Sequence, residues 1–217
     1  MKRLVIICEG PTEQEFVREV LQPHFSTKNI YLQIPLIKKS GGGVVSWNVL
    51  KSQVESHLKE RESFVTTLID YYGIPNGFNY PGWQESKTIV DKPQRMDFLE
   101  QRMLSDVDIA LSHRFIPYIQ LHEFEGLLFN NIQSFENTFE AKEFKNKKEL
   151  ESILGQYDNP ELINDNPNTA PSKRLLNLIQ GYNKIVYGSI LAKNIGMYKI
   201  RQKSLRFNNW IEKLERL

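Results

Sequence analysis

Short apolar runs alternate with segments of helical periodicity along residues 1–130 of the chain. Four runs have the length and composition of strands, namely Leu4–Cys8, Ile30–Ile37, Phe64–Ile69 and Arg114–Leu121. The intervening segments place apolar residues three or four positions apart, which is typical of amphipathic helices. Strands that alternate with helices predict βαβ units, and therefore an α/β fold with a mainly parallel sheet flanked by helices.

The first predicted helix begins almost directly after the first strand. Thr12 and Glu15 have the spacing of a capping box, in which each side chain hydrogen-bonds a backbone amide at the helix start. Pro11 stands just before this cap, and the apolar periodicity runs through to Pro23. The sequence therefore predicts a strand, a tight turn and a helix in immediate succession.

The second half of the chain has a different pattern. Residues 133–154 are predicted to be helical, and residues 155–171 to be a loop crowded with Asn, Asp and Pro. The remainder is predicted to be helical to the end, with Ser172 as a helix cap. We interpret residues 1–130 as a core and residues 131–217 as a basic helical extension packed on it, within one structural domain.

Bulk composition excludes several classes of protein. The chain has 217 residues, 40% of them hydrophobic, which is enough to bury a sizeable core. One cysteine excludes an internal disulfide, and one cysteine with four histidines excludes a structural zinc site. No apolar stretch is long enough for a bilayer, and the N-terminal run is too short for a signal peptide. A cytoplasmic protein without membrane contact is expected.

The net charge of +2 conceals an uneven distribution of charge. Residues 172–217 contain ten Lys or Arg and two Glu, a balance of +8. The first 171 residues contain 18 basic and 24 acidic residues, a balance of −6. Phosphate contacts dominate the affinity of proteins for nucleic acid, so a basic part beside an acidic body suits a nucleic-acid partner. The alternative is that these charges lie on the solvated faces of ordinary helices.

Acidic residues follow three of the four predicted strands. Glu9 ends the first strand, Asp70 ends the third, and Glu123 and Glu125 follow the fourth. In an open parallel sheet, ligands bind outside the carboxyl ends of the strands. Burying several carboxylates together is costly unless a cation neutralises them, and oxygen ligands suit Mg²⁺ or Mn²⁺. We predict that these side chains hold one of these ions.

The residues that follow Glu9 have further candidate roles. Glu13 either binds the same ion or lies at the helix N-terminus because the helix dipole stabilises a negative charge there. Gly10 allows the chain to turn sharply, and the free amides of the helix start are suited to hold a phosphate.

The segment Tyr71–Trp83 is predicted to be a long loop, rich in Gly, Pro and Asn. Its aromatic residues, with Tyr72 and Tyr80 among them, either stack on bases or fold the loop against the protein body. His122 is either a proton carrier or a hydrogen-bonded structural residue.

The run Gly41–Gly43 is predicted to be a second loop. It does not form the phosphate-binding loop of P-loop NTPases, because Lys38 and Lys39 precede the glycines instead of following them. That class of enzyme is excluded.

Several of these motifs resemble known families. Residues Cys8–Glu13 look like the opening signature of Toprim domains, the metal-binding module of topoisomerases, primases and overcoming-lysogenization-defect (OLD) nucleases. More closely, the chain resembles a Toprim-like family of unknown function, DUF4276. This resemblance rests on five segments that together span nearly the whole chain: Glu9–Glu13, Leu68–Gly73, His122–Phe129, Thr169–Arg174 and Ile190–Arg201.

The resemblance implies a Toprim-like fold and roles for individual residues. Glu9 would be the signature acid and a metal ligand or general base, Asp70 a metal ligand, and Glu125 or a neighbouring acid would complete the site. By resemblance to the lysine that follows the acids in OLD-type nucleases, Lys193 would be the catalytic cation. The second choice is Lys173 or Arg174.

The basic C-terminal part also supplies candidate phosphate-binding residues. We assign Gly10, Lys173, Arg174 and Arg201 to contacts with phosphate or nucleic acid. Members of the broader family often lie beside ATPases in antiviral defence loci, which implies an ATPase partner.

One motif departs from the Toprim pattern. The usual strand ends in Asp-x-Asp, whereas this chain has Asp70, Tyr71 and Tyr72, so the second aspartate is absent. Either Glu123 or Glu125 replaces it, or one metal is bound more weakly, or the site no longer cleaves.

The predicted function is metal-dependent hydrolysis of phosphodiester bonds in DNA or RNA, as a possible effector of antiviral defence. One alternative is a catalytically degenerate Toprim-like subunit that binds an ATPase. A second is a nucleotidyl transferase or small phosphoesterase that uses the same acids.

Overall fold

Five short parallel strands form the sheet of this computed structural model, which describes residues 2–38, 43–60, 62–164 and 167–217. Their order is β2-β1-β3-β4, and β5 also pairs with β3. The predicted α/β fold with a parallel sheet flanked by helices is confirmed. The strands are β1 (Lys2–Cys8), β2 (Ile30–Gln33), β3 (Ser63–Asp70), β4 (Phe115–Ile116) and β5 (Ile119–Gln120).

The fourth predicted strand, Arg114–Leu121, is divided into β4 and β5. Both segments pair with β3 in one register, with Val65 opposite Phe115 and Asp70 opposite Gln120. Pro117 lies between them and has no amide hydrogen for the ladder. The hydroxyl of Thr67 bridges the gap, because it accepts from the Tyr118 amide at 3.0 Å and donates to the Tyr118 carbonyl at 2.9 Å.

Helices account for most of the remaining described residues. A π-helical turn, Val17–Leu21, joins the first two of them into one continuous rod. The helices are α1 (Pro11–Phe16), α2 (Gln22–Ser26), α3 (Trp47–Leu58), α4 (Trp83–Ser86), α5 (Lys92–Asp106), α6 (Ile109–Ser112), α7 (Ile132–Glu136), α8 (Lys147–Gln156), α9 (Pro171–Leu178), α10 (Lys184–Ile195), α11 (Met197–Lys203) and α12 (Leu205–Glu215).

The predicted capping box of Thr12 and Glu15 at the start of α1 is wrong. Gly10 is the N-cap, Pro11 is the first helical residue, and the Glu13 carboxylate accepts a hydrogen bond from the Gly10 amide at 2.9 Å. Proline suits the first helical position because its missing N–H has no helical partner there and its φ is already helical. The cap therefore lies two residues earlier than predicted.

The helical rod also continues past Pro23, where the periodicity predicts its end. The Gln22 amide bonds to the Val17 carbonyl five residues earlier, as in a π-helix. The rod then runs on to Ser26.

The second half differs from its prediction in two places. Residues 133–154 are not one helix, because Asn131 and Asn146 each accept a backbone amide and begin separate helices, α7 and α8. Ser172 is not a cap, since α9 begins at Pro171. The predicted loop over residues 155–171 contains two 3-10 turns, and residues 165 and 166 lie outside the described part, as do Gly41 and Gly42 of the glycine loop.

Alternate residues of β1 face two cores on opposite sides of the sheet. Leu4 and Ile6 pack in one core with α1, α10 and α12, whereas Val5 and Ile7 pack in the other with α3 and α5. Residues 131–217 thus share a core with the first strand. Within the described ranges, no helix is long and apolar enough to cross a bilayer.

Candidate active site at the carboxyl edge of the sheet

Glu9 and Asp70 lie together at the carboxyl ends of β1 and β3, where the connections that follow neighbouring strands run to opposite sides. From β1 the chain passes to β2 on one side, and it returns through α3 to β3 on the other side. Ligands of open α/β sheets bind at such a switch point. The Glu9 amide donates to the Leu68 carbonyl at 3.0 Å, and the Glu9 carboxylate accepts from the Asp70 amide at 2.8 Å. The predicted proximity of these two acids is confirmed.

The first turn of α1 adds Glu13 to this edge. Its side chain is buried, and its carboxylate closes the turn by accepting the Gly10 amide. Both readings of Glu13 are compatible with this position, because it lies at the helix start and beside the other acids. The Gly10 amide is occupied by Glu13 in this arrangement.

A 3-10 turn, Phe124–Leu128, follows β5; the last two acids are Glu123, its N-cap, and Glu125 within it. The Glu123 carboxylate accepts the Ser172 amide at 2.8 Å and its hydroxyl at 2.9 Å, so Glu123 holds the start of α9. Glu125 is 3% exposed, and its Oε1 has no hydrogen-bond partner among the described residues. We call Glu9, Glu13, Asp70, Glu123 and Glu125 together the carboxylate site.

Two glycines that the sequence analysis did not assign to the site lie against Glu9. A Cβ atom on Gly73 would lie 3.0 Å from Glu9 Oε1 and equally close to Val44, and one on Gly43 would lie 3.9 Å from the same oxygen. Gly43 also has a φ of +104°, which side-chain-bearing residues rarely adopt. The Gly-rich character of both loops was the available signal, but glycines in turns are too common to identify these two.

Burial changes the proton affinity of the carboxylate site. It raises the pKa of Glu9 and of Glu125 to about 7, and it raises the pKa of Glu13. The pKa of Asp70 rises well above its usual value because of burial and then because of the charges of Glu13, Glu9 and Glu125. Carboxylates this close repel one another in their charged form.

Positive charge reaches the carboxylate site from Lys184, which sequence reasoning did not select. Its charge lowers the pKa of Glu9, Glu13 and Glu125, against the larger effect of burial. Lys184 is the first residue of α10 and its side chain is exposed. No pattern in the sequence distinguishes it from the other nine basic residues of the C-terminal part.

The chemistry of the carboxylate site fits a divalent cation. Its donors are all oxygens, and Asp70 Oδ1 and Glu125 Oε1 are buried without a hydrogen-bond partner in the described part of the chain. Such atoms are costly to leave unpaired. However, no three acidic, His or Cys side chains of the described residues are arranged to hold a metal as they stand. Glu9, Glu13 and Glu123 each bind backbone amides instead, so these side chains would have to rotate.

Comparison with known proteins identifies a family. A model described as Domain of unknown function (DUF4276) matches residues 8–215. The chain belongs to this family. No curated protein and no solved structure matches it. The closer of the two resemblances drawn from the motifs is thereby confirmed.

Lys193, the lysine chosen by resemblance, lies elsewhere in this DUF4276 protein. Its Nζ is 3.2 Å from Glu19 Oε2, and both side chains are exposed. Lys193 lies nine residues after Lys184 on α10, which is about 13 Å along the helix axis. The structure does not bring Lys193 to the carboxylate site.

The predicted phosphate-binding residues are dispersed as well. Arg201 pairs with Glu215, which also contacts His24 near the end of α2, the helix that leads to the start of β2. This is the opposite end of the sheet from Glu9. The Arg174 guanidinium donates to the Thr169 carbonyl at 2.9 Å, and Lys173 is exposed next to Ser172. Of the four, Gly10 therefore lies at the carboxylate site, Lys173 and Arg174 follow the Ser172 that contacts Glu123, and Arg201 lies away from it.

The aromatic residues of the Tyr71–Trp83 segment mostly fold it against the protein. Tyr80 and Trp83 are buried, with their rings 6.4 Å apart. Tyr72, at the position where the resemblance to Toprim domains predicts a second aspartate, is 44% exposed, and its ring lies 4.8 Å from that of the buried His122.

Proposed function

We propose that this protein is a metal-dependent phosphodiesterase of the Toprim type that cleaves DNA or RNA in the cytoplasm. The observation that carries the proposal is the carboxylate site at the switch point of the sheet. Five carboxylates from three chain segments converge there, and two of their buried oxygens have no partner in the described part of the structure. Cation-dependent phosphoryl chemistry is the use to which such a set of oxygens is best suited.

Some acids of the carboxylate site would bind the metal, and others would hold the surrounding segments in place. Asp70 and Glu125, which carry the unpartnered oxygens, are the first choices to hold Mg²⁺ or Mn²⁺, together with Glu9. A divalent cation bound there would activate a water molecule and offset charge on the phosphate. Glu13 and Glu123 hold the starts of α1 and α9, and so keep these segments in place.

Nucleic acid is the proposed substrate because of the charge distribution and the family resemblance. The C-terminal part has a balance of +8, and Lys173 and Arg174 follow directly after the Ser172 contact to Glu123. Phosphate-rich polymers are attracted to such a part of a protein. The resemblance to Toprim-like proteins of defence loci adds the proposals of an antiviral role and an ATPase partner.

Cleavage by the pure protein tests the proposal. Labelled single- and double-stranded DNA and RNA would be incubated with Mg²⁺, Mn²⁺ or EDTA, with nucleoside triphosphates and a small phosphodiester assayed in parallel. We expect cleavage with metal only, reduced to background in Glu9→Gln and Asp70→Asn. Glu15→Gln, on α1 and paired with Arg18 away from the carboxylate site, is the control and should retain activity. Turnover of the small substrates alone would replace the nuclease proposal with a nucleotidyl transferase or phosphoesterase.

A second candidate function is that of a degenerate Toprim-like subunit that binds an ATPase. Tyr72 stands in place of an aspartate, and three of the five carboxylates already bind their own chain. Binding of Mn²⁺ without cleavage of any substrate would favour this candidate.

A further inference from the structure

The first half of α10 packs against the chain segments that carry the carboxylate site. A Cβ atom on Gly188 would lie 3.4 Å from the Phe124 ring and 3.8 Å from Thr12 Cγ2. Phe124 stands between Glu123 and Glu125, and Thr12 precedes Glu13. This face of α10 therefore contacts both segments that supply those acids.

Lys184 lies on this same face of α10. It precedes Gly188 by four residues, and residues four apart are neighbours on one side of a helix. Side chains of a helix lean towards its N-terminus, so that of Lys184 extends beyond the end of α10 at the rim of the site. Its Nζ has no hydrogen bond or ion pair with the described residues, whereas that of Lys193 pairs with Glu19.

Tyr182 provides an independent observation that polar groups at this end of α10 lack a partner. Its side chain is 6% exposed, and its hydroxyl has no hydrogen-bond partner in the described ranges. The hydroxyl would lie 3.6 Å from a Cβ on Gly188. Burial and then the charges of Glu125 and Glu123 raise its pKa, so Tyr182 remains a hydrogen-bond donor. A buried donor beside carboxylates is suited to an anionic ligand or a bound water.

A phosphate group that approaches five carboxylates is repelled unless positive charge accompanies it. A metal held inside the site offsets part of this charge, and an exposed lysine at the rim can contact a non-bridging oxygen of the phosphate. Lys184 has the position and the free ammonium group for this contact.

We propose that Lys184, and not Lys193, is the phosphate-binding cation of the carboxylate site, an inference that rests on the proposed phosphodiesterase function. The alternative for any exposed lysine is plain solvation. The proposal and plain solvation predict different effects of removing the Lys184 charge on metal affinity and on cleavage of the substrate.

Metal affinity tests whether Lys184 faces the site, without any need for turnover. Binding of Mn²⁺ would be measured by calorimetry for the wild type, Lys184→Ala and Lys193→Ala, with thermal melting to verify folding. Removal of a nearby positive charge should tighten Mn²⁺ binding about threefold in Lys184→Ala. Lys193→Ala should bind Mn²⁺ as the wild type does. Equal effects of the two substitutions, or no effect of Lys184→Ala, would overturn the inference.

Cleavage kinetics test the contact with phosphate. Lys184→Ala should lower kcat/KM about tenfold and reduce the slope of log kcat/KM against log salt by about one, as for one lost phosphate contact. Lys184→Arg should restore most of the rate because it retains the charge. A merely structural lysine would not change the salt slope, and an unchanged slope in Lys184→Ala would contradict the inference.

The failure of the inference and that of the proposed function are distinguishable. If the protein binds metal but cleaves no nucleic acid, the nuclease proposal fails. The inference is then decided by the affinity of the Mg²⁺-loaded protein for inorganic phosphate, which Lys184→Ala must weaken and Lys193→Ala must not. If the wild type binds neither Mn²⁺ nor Mg²⁺, both proposals are wrong.

Discussion

Burial raises the pKa of Glu9 and of Glu100 alike, to about 7, yet the two carboxylates have very different neighbours. Glu100 lies next to Arg206, whose side chain is only 9% exposed and donates to Glu100 at 2.5 Å. Glu9 lies among other acids, with Lys184 at the surface as the positive charge acting on it. One buried acid has its counter-ion built into the fold, and the other has none within the described ranges of the chain.

The cluster around Arg206 is held by further pairings, although Arg206 Nε has no hydrogen-bond partner among the described residues. Arg206 also pairs with Asp97, and the Glu100 carboxylate accepts the Ile119 amide at 2.9 Å. The buried Glu161 carboxylate accepts the amides of Arg206 and Phe207 and so caps the start of α12. Even the cavity of about 450 Å³ beside Arg206 is lined by these paired charges. Acids of this cluster stabilise the positions of helices and strands.

The carboxylate site also accepts backbone amides, but no buried cation of the described residues pairs with its acids. Buried charge that the fold does not compensate is destabilising, and it persists at sites where it serves a function. The comparison teaches that burial and a raised pKa do not by themselves mark an active site. The lack of a counter-ion among the described residues separates the two clusters, and it predicts opposite responses of the clusters to the same changes.

The largest expected effect is the loss of a partner in the Arg206 cluster. Glu100→Gln leaves the guanidinium of Arg206 buried beside a neutral group, so the free energy of unfolding should fall by about 3 kcal/mol. Urea denaturation at pH 8 measures it. Glu136→Gln, which breaks the exposed pair with Lys147, is the control and should cost less than about 1 kcal/mol. A loss for Glu100→Gln as small as that of the control would remove the contrast between the clusters.

The pH dependence of the metal-free protein should show an effect of similar size. The pKa of Glu9 is 4.5 in its ordinary state and about 7 in the fold, so the folded state binds more protons between these values. The contribution of Glu9 to the free energy of unfolding, about 3 kcal/mol, is fully present below about pH 4.5 and is lost as the pH rises through about 7.

Melting curves from pH 5 to pH 8 check this fall, with and without saturating Mn²⁺. Mn²⁺ should restore the stability that is lost when Glu9 and Glu125 are deprotonated, because bound metal favours their charged form. The loss of stability that comes from deprotonation of Glu100 should remain in the presence of Mn²⁺. A fall that Mn²⁺ leaves unchanged would argue against a cation site at Glu9.

Glu9→Gln should act in the opposite direction to Glu100→Gln. It removes a buried negative charge from among like charges, so the metal-free protein at pH 8 should become more stable by about 1–3 kcal/mol. The same substitution should abolish stabilisation by Mn²⁺. Urea denaturation with and without metal measures both effects, and a loss of stability without metal would show that Glu9 is a structural acid like Glu100.

The smallest expected effect concerns the position of the Glu9 carboxylate. Gly73→Ala would place a Cβ 3.0 Å from Glu9 Oε1, so we expect Mn²⁺ affinity to fall about tenfold, which corresponds to about 1.4 kcal/mol. Gly77→Ala in the same loop is the matched control, since a Cβ there meets no atom within 4 Å. Calorimetry compares the two, and equal affinities would mean that Gly73 does not set the position of Glu9.

Local features of the fold were predictable where the pattern is local. The apolar runs identified the strands and their parallel arrangement, and the acids that follow them converge because parallel strands end at one edge. Helix starts were less accurate. Pro11 and Pro171, at first positions, displaced the caps predicted at Thr12 and Ser172, since these polar side chains fit a cap equally well by type.

The sequence by itself therefore determined the sheet and its acidic edge, because the apolar runs that form the strands and the acids that follow them each lie within short chain segments. Only the tertiary structure decided that Glu100 has a buried counter-ion whereas Glu9 has none among the described residues. It also decided that the charge of Lys184 acts on Glu9 while Lys193 pairs with Glu19. These relations depend on how α10 and α12 pack on the first half of the chain. Charge pairing between segments far apart in sequence leaves no local pattern to read.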